Sequence, residues 1–470
     1  MKLSGNDLID MGYEPGKHFS EMLAVGNSLV ENEVPHAKLV EALDEIYAEA
    51  TFVKPTIPLK VNNSFDVYLD EGRNEFERNN NQAVHDTMAE VVKTPTVVDA
   101  AIMPDACPAG PLGTIPVGGV VGAKNAIHPG MHSSDICCSM YLTELNDDRE
   151  VGKVLDAVQK ASHFGYGGRK DTPMGRLLRG HDITKRASEN RFLSSAKMFK
   201  AMSDHLGTQG DGNHFFFIGR SETSGRMVLV THHGSRNPGA LLYKEGMRVA
   251  EQFRKELSPD TLKQNAWIPF DTDEGRLYWE ALQIIRAWTE YNHRVIHNAV
   301  MAELGLFERD IYDRFWNEHN FVFQRDDVFY HAKGSTPVWG SHAHDADIYG
   351  RTIIPLNMGE PILIVKNDPK NSLGFAPHGA GRNMSRTQFM KLNAGKTAEQ
   401  IMVEQTGHVD ARFYSGKPDA SELPGAYKDA EEVQRQIVDY GLAKIVDRIM
   451  PLGSMMAGEL DKPWLKKKER

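Results

Sequence analysis

The sequence predicts an α+β fold built as one large interwoven domain, and three observations predict it. From Thr94 to Met140 the chain breaks into short apolar runs punctuated by Gly and Pro, the texture of strands and turns. Further on, Leu277, Ala281, Leu282, Ile285, Trp288, Tyr291, Val295 and Ala299 recur at helical spacing, the mark of a long core helix. No repeat and no long linker separates these textures.

In chain order, Leu39–Phe52 has helical spacing, and Asn79–Asn81 reads as a polar loop. Val97–Met103, Ile115–Val121 and Ile136–Leu142 are expected strands, and Val151–Ala161 and Ser195–His205 expected helices. Arg226–Thr231 is a strand leading into HHGSRNPG. The long helix starts near Asp271–Asp273, which offer caps, and stops at Gly305. Asp327–His331, Arg351–Pro355 and Pro361–Val365 complete the strands. Tyr427–Val446 reads as a late helix broken at Gly441, and Lys466–Arg470 as a solvated end. Residues 1–95 are expected to form an N-terminal elaboration packed on a core of residues 96–470.

Composition narrows the classes. The chain has 470 residues, 40% hydrophobic and 25% charged, with 6 Trp, 20 Phe and 14 Tyr, so global disorder is excluded. No run is long enough for a membrane span, and MKLSGNDLIDMGYEPG has no apolar signal core, so a cytoplasmic protein is expected. Three Cys make no disulfide framework, and two of them, Cys137 and Cys138, are adjacent. A net charge of −10 means that any nucleic acid would be met by a local basic pocket.

Histidine is abundant, at 19 residues, and several stand where strands end. In HSSDICCSM, Asp135 and Cys138 could offer carboxylate and thiolate to one cation. GDGNHFFFIG places Asn213 and His214 at a strand start. VTHHGSRNPG ends a strand on His232 and His233 and follows with Arg236, and FYHAKGST does so with His331 and Lys333. Each histidine read alone is a satisfied core residue. Together with thiolate and carboxylate they make a ligand inventory for a borderline divalent metal such as manganese, zinc or cobalt. APHGAGRNMSR sets His378 in a small-residue turn, open to an electrophile. Arg382 and Arg386 would share a face if a helix begins there, next to a phosphate.

The ordered set DICC, GNHF, HHGSR, HAKGST, NMG and HGAGRNMSR, with the lead-in IPVGGVVGAKNAIHPGMHSSDICC, resembles the RtcB family of RNA-splicing (3′-phosphate) ligases. The resemblance runs from about Met103 to Gly458. It implies mixed and antiparallel sheets with surrounding helices around a central metal cleft. It also implies two metal ions, manganese with zinc or cobalt as alternatives, held by Asp135, Cys138, His214, His232 and His331, with Cys138 bridging. His378 would be the nucleophile that takes GMP from GTP. Asn213, Arg236, Asn357, Met358, Gly379, Ala380, Gly381, Arg382, Arg386 and Tyr427 would hold nucleotide or RNA phosphates. The implied reaction joins RNA 3′-phosphate or 2′,3′-cyclic phosphate ends to 5′-hydroxyl ends, in tRNA splicing or RNA repair, with archease as a helper in some relatives.

This chain departs from the family pattern in places. Phe217 stands where the family has the Glu that reads guanine, and Met456 aligns with a Lys of the family. Asn357 replaces a Ser, HAKGSTP lacks two arginines, and Cys107 stands at a common His position. Weakened guanine selectivity is therefore expected. A metal-dependent phosphatase or cyclic phosphodiesterase, and an RNA-end binding protein without ligase activity, are the competing readings.

Overall fold

The computed structural model describes residues 2–51, 55–61, 64–169, 173–339, 350–384 and 386–459, with Arg386 described by its backbone alone. The chain forms two compact units, Met1–Ile57 and Pro58–Arg470. The first is helical: α1 (Gly5–Asp10), α2 (Phe19–Glu31) and α3 (His36–Thr51). Ser4 and Asp7 cap α1 reciprocally. Leu8, Met22, Leu39 and Leu43 are buried in one cluster. Side chains crowd Gly26 of α2, where a Cβ would meet Leu3 Cδ1 at 2.8 Å.

Residues 58–95, expected in the N-terminal elaboration, are part of the larger unit. There β1 (Asp66–Val67) pairs parallel with β2 (Val97–Cys107), and α4 (Glu75–Val91) joins the β2 core through Val84, Met88 and Val91. The expected polar loop Asn79–Asn81 lies inside α4. Asn74 caps that helix, and the amides of Asn80 and Asn81 donate to the carbonyls of Asn383 and Asp70. Partners outside the helix remove the competition with the backbone that makes Asn a poor helix former.

Two sheets dominate the larger unit. The first runs β1-β2-β3-β13-β12, with β3 at Val117–Lys124, β12 at Asn320–Arg325 and β13 at Val328–Lys333. The second runs β11-β5-β9-β8-β19-β16-β15: Ile311–Glu318, Ser139–Leu145, Met227–His233, Phe215–Ser221, Ala443–Met456, Ile362–Asn367 and Thr352–Ile354. Here β18 (Asp410–Phe413) adds in parallel to β19. Three small ladders complete the strands: β4 (Ala126–Ile127) with β10 (Ile268–Pro269), β6 (His163–Phe164) with β7 (Thr208–Gly210), and β14 (Ser335–Pro337) with β17 (Phe375–Pro377).

Around them pack α5 (Val151–Ala161), α6 (Asp182–Glu189), α7 (Ala196–His205), α8 (Arg236–Leu257), α9 (Asp273–Glu303), α10 (Arg386–Leu392), α11 (Ala398–Thr406) and α12 (Ala430–Asp439). The fold is thus the expected α+β arrangement. Helix α9 starts at a Thr272 cap and buries Ala281, Leu282, Ile285 and Trp288 of its stripe. Among the described residues no helix is long and apolar enough to cross a membrane.

The late helix is shorter than expected. α12 stops before Gly441, whose φ of +62° favours a residue without Cβ, and the chain from Ala443 is strand β19. Pairing with β16 on one side and β8 on the other outweighs the helical periodicity of that segment. Strand β5 begins at Ser139 rather than Ile136, because Cys137 has φ +58° and belongs to a turn. The expected end Lys466–Arg470 lies outside the described residues.

Candidate metal centre and adjoining cavity

Antiparallel order brings distant residues to one edge of the second sheet. Cys138 precedes β5, His232 sits near the end of β9, His214 precedes β8, and His319 follows β11. Neighbouring strands run in opposite directions at about 4.8 Å spacing, so a strand start and the next strand's end share an edge. Met140 pairs with His232, Phe215 pairs with His232, and the His319 amide donates to the Cys138 carbonyl at 2.9 Å. Asp135 comes from the turn before β5, where Ser133 and Cys137 both take positive φ.

The donor atoms form two triads, Asp135–Cys138–His214 and Cys138–His232–His319, each with its atoms within 4.8 Å of one another. Cys138 Sγ belongs to both. It lies 3.2 Å from His232 Nε2 and 3.5 Å from His214 Nε2. His214 Nε2 is 3.2 Å from Asp135 Oδ2, and His232 Nε2 is 3.0 Å from His319 Nε2. His214 Nδ1–H donates to the Gln209 carbonyl at 2.8 Å and His232 Nδ1–H to the Asn213 carbonyl at 3.1 Å. Carbonyls only accept, so both Nε2 atoms present lone pairs to the thiol.

Burial holds His232 neutral, down at about 3, with His214 and His378 adding to the effect. Burial likewise holds His319 well below its ordinary range. Burial and Asp135 push the Cys138 thiol far up. Lone pairs of S, N and O thus converge with too few hydrogens among them. A divalent cation relieves that arrangement, and it would turn the Cys138 thiol into a thiolate. The donor set fits the two metal ions expected from the sequence, with Cys138 shared.

His331 is not part of this cluster. It sits on β13 in the other sheet, opposite Val121 of β3, and its Nε2 accepts the His128 amide at 2.8 Å. His319 takes the fifth place. Its signal was faint: a polar WNEHN stretch between two apolar runs, with a His-Asn-Phe order that reverses the first two letters of the NHF at Asn213.

His378 follows β17, and its Nδ1–H donates to Asp105 Oδ2 of β2 at 2.6 Å. That leaves Nε2 as the lone-pair atom. The ring centroid is 4.7 Å from that of His319, so the imidazole borders the cluster. Two glycines make the approach. Gly381 has φ +73° and a Cβ there would stand 1.9 Å from the Asp105 carbonyl oxygen, while a Cβ on Gly334 would meet His378 Cε1 at 3.0 Å. Asp105 was not among the residues singled out in the sequence.

A cavity of about 260 Å³ adjoins this cluster. Asp135, Cys138, His232, His319 and His378 line one end, together with Asn213, Gly379, Ala380 and Gly381. Phe215, Phe217, Met358 and Met456 also line it, with Asn357 and Ser454, and the Phe215 ring lies 5.2 Å from that of His232. Asn357 Oδ1 turns back to accept the Gly359 amide at 3.0 Å. Ser454 Oγ is buried without a partner among the described residues.

The basic residues are more engaged than expected. Arg382 reaches Glu422 Oε2 at 3.1 Å, donates to the Ser421 carbonyl, and lies over the Tyr427 ring at 5.3 Å. Tyr427 donates to Glu422 at 2.6 Å. No helix carries Arg382. The Gly379–Gly381 turn leads into an isolated bridge between Arg382 and Tyr427, and α10 starts only at Arg386. The Arg386 side chain lies outside the described atoms. Arg236 starts α8 and comes within 3.2 Å of His214 Nδ1, on the far side of that ring from Cys138. Burial brings the Lys333 ammonium down to about 8, and it donates to the Ile115 carbonyl at 3.0 Å.

Comparison with known proteins follows the same outline. The family model described as tRNA-splicing ligase RtcB matches residues 87–457. The chain is 27% identical over 352 residues to the tRNA-splicing ligase RtcB of Pyrococcus horikoshii, covering 67% of this chain and 39% of that protein. It is 27% identical over 347 residues to the protein of that name from Nanoarchaeum equitans, covering 64% of this chain and 69% of the relative. For Methanococcus maripaludis the figures are 28% over 346 residues, 65% and 70%. The match spans about two-fifths of the length of the Pyrococcus horikoshii relative.

Proposed function

The chain belongs to the RtcB family, and from that premise we propose that it is an RNA ligase. It joins RNA 3′-phosphate or 2′,3′-cyclic phosphate ends to 5′-hydroxyl ends, in tRNA splicing or RNA repair in the cytoplasm, using a nucleoside triphosphate. One observation carries the reading: two donor triads share Cys138 Sγ, and the His378 imidazole, its Nδ1 tied to Asp105, stands beside them.

Asp135, Cys138 and His214 would hold one manganese ion, and Cys138, His232 and His319 the second. Bound there, the ions supply positive charge for phosphate oxygens and for the charge that grows during transfer. Asp105 keeps the proton on His378 Nδ1, so that the Nε2 lone pair would bond to the nucleotide's α-phosphorus as the bond to the β-phosphate breaks and pyrophosphate leaves. Burial excludes water from His232 and His319 and keeps them unprotonated at neutral pH. Asn213, Gly379, Ala380 and Gly381 supply polar and backbone groups for phosphate. Arg382 and Tyr427 act through Glu422, and Arg236 adds positive charge beside the His214 ring. A helper protein such as archease fits this chemistry without being required by it.

The nucleobase would lie against Phe217, Met358 and Met456, with Ser454 Oγ as the sheet's hydrogen-bonding group. The Phe217 ring in place of a charged acceptor forfeits on the order of 1.5–3 kcal/mol of base discrimination. The test is adduct formation with each α-labelled nucleoside triphosphate and manganese. The wild-type chain should take label from ATP and GTP within about tenfold of each other. His378→Ala should take none and should not ligate. Strong GTP exclusivity rejects the relaxed-base reading; cyclic phosphodiesterase turnover that persists in His378→Ala without any ligation by the wild type rejects the ligase.

A further inference from the structure

Helix α9 packs two histidines against the strands that carry the cluster. His293 and His297 are fully buried, one helical turn apart, and they meet hydroxyls from β5 and β9. These hydroxyls alternate along the strands with residues of the opposite face: Met140 and Leu142 lie between Ser139 and Thr143, and His232, which lines the cavity, follows Thr231.

The links form a continuous chain. Arg314 Nε lies 3.1 Å from Thr143 Oγ1, Thr143 Oγ1 lies 2.9 Å from His297 Nδ1, and His297 Nε2 lies 2.9 Å from Thr231 Oγ1. Thr231 Oγ1 lies 2.7 Å from His293 Nδ1, and His293 Nε2 lies 3.0 Å from Ser139 Oγ. Ser139 Oγ ends the chain 3.0 Å from the Cys137 carbonyl and 3.3 Å from the His233 carbonyl.

The two ends fix its direction. A guanidinium can only donate and a carbonyl can only accept. Thr143 therefore accepts from Arg314 and donates to His297 Nδ1. His297 Nε2–H donates to Thr231, which donates to His293 Nδ1. His293 Nε2–H then donates to Ser139, and Ser139 donates to the carbonyls. Every hydroxyl both accepts and donates, and both imidazoles are neutral with the proton on Nε2. Burial holds the two rings far below their ordinary range, in agreement with that state. His233 stacks on His293 with centroids 3.5 Å apart, and Tyr141 lies parallel to His293 at 5.6 Å.

A chain that ends on carbonyls delivers no proton to a reacting group. What it fixes is backbone: the Cys137 carbonyl is in the peptide bond to Cys138, and Thr231 and His233 flank His232. We propose that the Arg314–Thr143–His297–Thr231–His293–Ser139 chain is a positioning device that holds Cys138 and His232 in metal-binding geometry, with Thr231 as its central link. This rests on the metal-centre reading above and deepens it.

The test is cobalt titration of the full chain, freed of metal, read by the thiolate-to-cobalt absorption band, the ligand-field bands and the dissociation constant. Thr231→Val keeps the shape and removes the hydroxyl, leaving two imidazole nitrogens unpaired. It should weaken cobalt binding by about tenfold or more and alter the ligand-field bands, the size of effect expected when an outer partner of a metal site is lost. Thr231→Ser restores the hydroxyl and should bind within about threefold of wild type. Arg314→Met removes the terminal donor at the chain's outer end; it carries the test if Thr231→Val does not fold, and should weaken binding about threefold. Wild-type affinity and bands in Thr231→Val, or in Arg314→Met if the former is unfolded, overturn the proposal. So does a Thr231→Ser chain as weak as Thr231→Val. A wild-type protein that gives no cobalt–thiolate band overturns the metal centre itself, and the positioning chain with it.

Discussion

The two parts of the cavity obey different rules. Around Cys138 three of the imidazoles are fixed by a second partner: the Gln209 and Asn213 carbonyls for His214 and His232, and Asp105 for His378, while His319 Nδ1 has none among the described residues. Near Ser454 the lining includes Phe217, Met358 and Met456, and the serine hydroxyl has no partner among the described residues. Directional bonds pin the chemical end to one arrangement, while the apolar part imposes only shape. A chain can therefore retain demanding phosphate chemistry while the specificity of its neighbouring pocket drifts.

The sharpest way to break this comparison is to set His319 against His331. His319→Ala removes a donor from the second triad and should lower metal affinity about a hundredfold or more, measured by titration calorimetry with manganese. His331→Ala should leave that affinity nearly unchanged. Its cost falls on the fold, since the buried His128 amide loses its acceptor and a cavity opens; a loss of about 2–4 kcal/mol is expected in urea denaturation. A reversed pattern would move the metal centre to the other sheet.

A smaller effect is expected one step from the cluster. Asp105→Asn keeps a polar group against His378 but no longer enforces a proton on Nδ1. Nucleotide transfer to His378 should slow about a hundredfold at unchanged manganese affinity, read by single-turnover labelling. Equal loss of metal binding would mean that Asp105 supports the whole cleft rather than one tautomer.

The smallest effect belongs to the apolar part. Ser454→Ala should change the ratio of ATP to GTP affinity by less than about threefold, because one hydroxyl can serve as donor or acceptor to either base. A shift above about tenfold in equilibrium binding would mean that this hydroxyl reads the base after all.

Much of this was legible in the sequence, for identifiable reasons. Val151–Ala161 and the α9 stripe follow from periodicity, since burial of one helix face leaves a 3.6-residue mark. Asp135, Cys138, His214 and His232 stood out because each ends or begins an apolar run beside small residues. The failures also have causes. Ala443–Val446 has helical spacing, but two neighbouring strands claim its backbone hydrogen bonds. Asn79–Asn81 looks like a loop until Asn383 and Asp70 accept from its amides. His331 and His319 cannot be told apart by local pattern, since both follow aromatic-rich stretches at strand ends.

By itself the sequence determined the α+β class, the principal helices, the family resemblance and the kinds of atoms available for chemistry. Those depend on local periodicity and on residue identity, which a linear string carries. Only the tertiary structure decided which histidine completes the cluster, that Asp105 orients His378, that Arg382 is held by Glu422, and that a one-way chain of hydroxyls and imidazoles backs the centre. Each of these depends on which strand ends share a sheet edge, and pairing between segments tens to hundreds of residues apart leaves no periodic trace in either one.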